Sequence, residues 1–148
     1  MRLSVLLATC AVAFGLSGCA THQPLAPTKA DQAAKEFRVK QDSAKIYIVR
    51  PGGFFGAMAG FDIKLDGQKL GGLPAGTYRM ASVSPGKHRV TGVGLERNDE
   101  VEVELAKGKI GFVSVNESFG ILVAQPSVAQ VPAQKGISQV KEADLIAK

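Results

Sequence analysis

From residue 41 onward, apolar and polar side chains alternate in short runs broken by Gly, Pro and Asp-Gly, and this period-two pattern predicts strands. Two upstream stretches follow other rules. Residues 3–16 are apolar or small and carry no charge, whereas residues 20–41 are rich in Ala, Gln, Thr, Pro and Lys. Pro24 and Pro27 disfavour regular structure there. Thr28-Lys29-Ala30-Asp31 fits a capping box opening a helix over residues 31–37, with Asp31 and Lys35 an i,i+4 pair. So short a helix is marginal alone, and Phe37 and Val39 are its expected docking groups.

In the strand region, residues 44–50 are apolar on both faces, which predicts a central strand ended by Pro51. Phe61, Ile63 and Leu65 alternate with Asp62, Lys64 and Asp66, after which Asp66-Gly67 suits a type I′ turn. A two-residue loop sets Ile63 opposite Leu70 and Lys64 opposite Lys69. Residues 77–83 and 87–96 follow, separated by the turn signal Ser84-Pro85-Gly86. Val101, Val103 and Leu105 face one way, and Glu100, Glu102 and Glu104 the other. A three-residue loop over 97–99 makes Leu95 face Val101 and Val93 face Val103, keeping apolar against apolar. Residues 110–116, 119–124 and 136–141 read as the remaining strands, and residues 142–147 as one helical turn. The expected fold is all-β, an antiparallel β-sandwich of about seven to eight short strands behind a short N-terminal helical tether.

The N-terminal run changes the picture of where this domain works. Arg2 gives a positive start, and about fourteen apolar positions follow, too few for the ~20 of a membrane-spanning helix. Ser17-Gly18 supplies the small residues that a signal peptidase accepts. Leu16-Ser17-Gly18-Cys19 resembles the bacterial lipobox, in which the Cys is acylated and begins the mature chain. The alternative is an ordinary secretory signal cut before Thr21, with Cys19 incidental. The expected division is a signal peptide over 1–18, a lipidated tether over 19–41 and the sandwich over 42–148. Ala20, where an Asp would retain a lipoprotein in the inner membrane, favours the outer membrane and a periplasm-facing domain.

Processing would remove Cys10 and block Cys19, leaving neither an intrachain disulfide nor a Cys metal cluster. The 18 Lys and Arg against 13 Asp and Glu give a net charge of +5, and Arg2 leaves with the signal. These cations are scattered without interleaved aromatics, so nucleic acid is not expected and anionic lipid headgroups are the natural counter-surface.

Candidate chemistry is thin. Glu100, Glu102 and Glu104 stand ~7 Å apart on one strand face, a spacing that could hold a cation or mimic a glycosidase pair. The bland alternative is a solvated face that discourages edge pairing, and Gly92 and Gly94 opposite would add no ligand. His22 lies in the tether and His88 between Lys87 and Arg89, neither beside an evident nucleophile. No catalytic residue, metal site or cofactor is expected. Residues 52–60 contain only Gly, Ala, Phe and Met, unlike an ordinary polar loop. Phe54, Phe55 and Met58 are therefore either a lid over the core or a contact loop for lipid or a partner.

Ile46-Tyr47-Ile48-Val49-Arg50-Pro51, Leu65-Asp66-Gly67-Gln68-Lys69-Leu70-Gly71, Gly76-Thr77-Tyr78 and Val83-Ser84-Pro85-Gly86-Lys87-His88 occur in this order. Together they resemble the small bacterial lipoproteins of the domain-of-unknown-function 2846 family, over about residues 44–123. Similar turns occur in PEGA-type domains, so a PEGA-like or prealbumin-like sandwich is the expected topology. Family members often carry paired Tyr after a Gly-Lys turn, where this chain has Gly108-Lys109-Ile110-Gly111-Phe112. The resemblance implies a lipid-anchored β-rich domain without established catalytic residues. The expected role is structural or adaptor binding in the cell envelope, to a membrane through the anchor and to an envelope protein. A small-molecule or glycan binder is the alternative.

Overall fold

The computed structural model describes residues 23–53 and 60–147. In chain order the elements are α1 (Thr28–Ala34), β1 (Ala44–Arg50), β2 (Phe61–Leu65), β3 (Gln68–Leu73), β4 (Thr77–Val83), β5 (Gly86–Val93) and β6 (Asp99–Leu105). There follow β7 (Ile110–Ser118), β8 (Gln125–Val131), α2 (Ala133–Lys141) and β9 (Asp144–Leu145). Their strands form a five-stranded sheet in the order β8-β7-β1-β4-β9 and a four-stranded sheet in the order β3-β2-β5-β6.

β1 reads as apolar on both faces because both are covered. Ala44, Ile46 and Ile48 pack toward the four-stranded sheet, against Ile63, Leu65, Val90 and Val103. Tyr47 and Val49 point the other way, into a second cluster with Tyr78, Phe112, Ala34 and Val140. The molecule thus has three layers: a four-stranded sheet, a five-stranded sheet and a pair of helices. Each fully buried Val, Leu or Ile contributes about 1.5–3 kcal/mol of transfer free energy, so these clusters dominate the stability.

The sandwich-like, mostly β character agrees with the sequence pattern, but the larger sheet is mixed. β1 runs parallel to β7 and β4 parallel to β9, so the sheets are not wholly antiparallel. Residues 119–124, expected as a strand, form an irregular loop, and the strand is the more polar β8 that follows. Residues 136–141 belong to α2, whose buried Gly136 and Val140 are spaced i,i+4. Residues 144–145, expected in a helical turn, form β9 instead.

α1 begins at Thr28, with Pro27 at the N-cap and no side-chain cap, so the capping box is not used. The helix is held instead by the sheet beneath it. Tyr47 Oη donates to the Ala34 carbonyl at 2.6 Å. Asp31 Oδ1 accepts from Tyr78 Oη at 2.8 Å and from the Leu145 amide at 3.1 Å, while its Oδ2 pairs with Lys35 at 2.7 Å. Phe37 docks as expected, its ring 5.4 Å from that of Tyr47 and 5.9 Å from that of Phe112.

Candidate functional site

β1 and β7 are parallel, so their C-terminal ends share one end of the sandwich. β7 pairs with β1 up to Val49↔Ser114 but with β8 up to Ser118↔Gln125. The β7–β8 hairpin therefore projects four residues past the parallel pairing, about 13 Å at ~3.3 Å per residue. The β5–β6 loop, residues 94–98, comes up beside it.

A polar clasp joins the two loops. Glu96 Oε2 accepts the Ile121 amide at 2.8 Å, and its Oε1 accepts those of Leu122 at 2.6 Å and Val123 at 3.2 Å. These backbone donors hold the Glu96 carboxyl below its ordinary 4.5. Buried Gln125 returns the favour: its Oε1 accepts the amides of Glu96 and Arg97, both at 3.2 Å, and its Nε2 donates to the Val123 carbonyl. Arg97 Nη2 donates to Ser118 Oγ at 3.2 Å. Nearer the core, the buried Arg50 guanidinium at the end of β1 pairs with Glu117, donates to the Leu73 carbonyl and lies 4.6 Å from the centre of the Phe61 ring.

With its polar groups engaged below, the tip presents apolar side chains to solvent. Relative exposure is 102% for Phe119, 94% for Ile121, 86% for Leu122 and 89% for Leu95. Large apolar groups grouped at one loop tip depart from the polar surface usual for loops. Sequence reasoning missed it by reading residues 119–124 as a strand; the available signal was a run of apolar residues with no polar alternation.

Other expected sites resolve differently. Cys19, His22, Phe54, Phe55 and Met58 lie outside the described residues. The expected register between β5 and β6 is displaced: Val90 faces Val101 and His88 faces Val103, while Gly92 faces Asp99. The reason is burial. His88 and Val90 point into the core, whereas Leu95 does not, so the connection is longer than three residues. Glu100, Glu102 and Glu104 consequently stand opposite Thr91, Arg89 and Lys87, not opposite Gly92 and Gly94. Lys87 pairs with Glu102 at 2.9 Å and Arg89 with Glu100 at 3.8 Å. A hollow of about 590 Å³ over this face is lined by Lys64, Asp66, Lys87, Arg89, Glu100 and Glu102 among others. Among the described residues no group of three or more His, Cys, Asp or Glu is placed to hold a metal ion.

His88 is an inward-facing lock. Its Nδ1 lies 2.7 Å from Asp66 Oδ2 and its Nε2 2.7 Å from the Ser84 carbonyl. Both partners are acceptors, so this geometry favours the form in which both ring nitrogens carry protons. Burial opposes that charge, but the hydrogen bonds to Asp66 and Ser84 and the attraction of the Asp66 carboxylate outweigh it, raising the pKa above 6.5. With no free nitrogen, this ring is no general base.

Residues 40–127 match a family described as "Protein of unknown function (DUF2846)". Over 135 residues the chain is also 24% identical to an uncharacterized protein of Haemophilus influenzae, covering 90% of this chain and 79% of the relative. The matched span contains both loops of the clasp, with Leu95, Phe119, Ile121 and Leu122 of the tip.

Proposed function

The chain belongs to the DUF2846 family, and from that premise we propose that it is a lipid-anchored, non-catalytic β-domain serving as a structural or adaptor protein of the bacterial cell envelope. It faces the periplasm from the outer membrane. The observation that carries this reading is the clasp between exposed Glu96 and buried Gln125, which ties two loops together while Leu95, Phe119, Ile121 and Leu122 stay outside the core. Such an arrangement serves contact and not turnover. Leu16-Ser17-Gly18-Cys19 supplies the anchor in this reading.

Cys19→Ser is expected to release the protein from membranes or to leave an unprocessed precursor. A Cys19→Ser protein that stays with membranes in a processed form of wild-type size overturns the anchor. The second reading, a small-molecule or glycan binder, rests on the hollow over the four-stranded sheet. Lys87 and Arg89 of its lining already pair with Glu102 and Glu100, which favours the adaptor reading.

A further inference from the structure

We propose that the occupant of the Leu95–Phe119–Ile121–Leu122 tip is the bilayer that carries the anchor: the domain lies with this end in the headgroup and upper acyl region of an anionic membrane. The inference rests on the lipid-anchored reading and adds a second, non-covalent point of attachment.

The first argument is reach. Gln23 is the first described residue, and Arg79 Nη2 donates to its Oε1 at 2.9 Å. It lies beside Gly72, which pairs with Asp62, which in turn pairs with Val93, the last residue of β5. Gln23 therefore sits at the β3 edge of the four-stranded sheet, in the row that holds Val93. Only three residues separate Gln23 from Cys19, four steps along the chain and at most about 14 Å when extended. An acylated Cys19 keeps this level of the domain close to the lipid surface.

Shape is the second argument. The tip is the end of a projecting hairpin, convex, with side chains that are nearly as exposed as in an extended chain. A folded partner would have to supply a matching groove, whereas a fluid bilayer accepts separate side chains as they come. The third argument is the state of the backbone. The amides of Ile121, Leu122 and Val123 are already taken by Glu96, so these three donors keep their partner when the loop moves toward a medium poor in water. Arg97 beside the clasp suits anionic headgroups.

The test uses the full lipidated protein in vesicles of phosphatidylethanolamine and phosphatidylglycerol. A fluorophore is attached at Ile121→Cys, or at Lys107→Cys in the β6–β7 turn at the opposite end. Nitroxide on the lipid acyl chains is expected to quench the probe at 121 several-fold more than the probe at 107, and aqueous iodide to do the reverse. Replacing Phe119 and Leu122 with Ser is expected to abolish lipid quenching at 121 without lowering the melting temperature. A protein that floats with the vesicles while its probe at 121 is as open to iodide as that at 107 overturns the docking alone. A protein that does not float overturns the anchor and the docking together. In native envelopes, a probe at 121 shielded from both quenchers assigns the tip to a protein and overturns the lipid assignment.

Discussion

His88 shows how one residue couples stability to pH. Its folded pKa lies above the ordinary 6.5, so the stabilisation is fully present below pH 6.5 and is lost as pH rises through the folded value. Asp66 moves the other way. Burial would raise it, but the His88 ring, the Arg89 amide and the two nearby positive charges hold it below 3.8, so its contribution is lost as pH falls through that lower value. The pair is intact between about pH 4 and 6.5. Urea unfolding is therefore expected to give a lower midpoint at pH 8.5 than at pH 5.5. The drop should shrink in His88→Gln; an equal drop in that variant assigns the pH dependence to other groups. The sequence displayed His88 between two cations and hid Asp66, because the contact crosses 22 positions and depends on how the hairpin tip curls over the β4–β5 turn.

At the level of elements, legibility followed the strictness of alternation. β2 and β6 keep one face apolar and the other charged, and both were evident. The Asp66-Gly67 hairpin was as well: Asp66 has φ 50° and Gly67 φ 81°, and Lys64 faces Lys69 as the loop length requires. Further along, the register shifts between Ile63 and Lys64, so Ile63 faces Gly71 rather than Leu70. Gly67→Val places a β-branched residue at positive φ and is expected to cost about 1 kcal/mol or more in urea unfolding. A variant as stable as wild type contradicts that turn geometry. β8 was missed because it is an edge strand whose outward residues, Ala129 and Gln130, need no apolar character, and because Pro126 is tolerated there. α2 was misread because a run as short as residues 136–141 fits period two about as well as period 3.6. What decides is a close approach: a β-carbon on Gly136 would run into Phe112. The tip escaped notice because its apolar residues face solvent, the reverse of what patterning assumes.

The whole molecule is closed by its two ends. Leu25 bridges to Ile146, the Ala26 amide donates to the Leu145 carbonyl at 2.7 Å, and the Ala147 amide donates to the Pro24 carbonyl at 2.9 Å. Leu145 and Ile146 are both buried. Ending the chain after Ala143 removes them, together with the Leu145 amide that Asp31 accepts. Truncating a buried Leu or Ile to Ala alone costs about 2–5 kcal/mol, so a loss of that order is expected. Limited proteolysis should then cut within residues 23–37, which full-length protein protects. Equal protection in the shortened chain contradicts the role of β9 as the support of α1.

This closure also orders events in time. In the lipid-anchored reading the chain crosses the membrane amino end first, so residues 24–26 arrive ahead of residues 145–147 and have no partner until those follow. The enzymes that acylate Cys19 and cleave before it can then act before residues 24–26 are held by the domain. The domain can draw residues 24–26 in only after residues 145–147 arrive, which makes this closure a late step that follows modification.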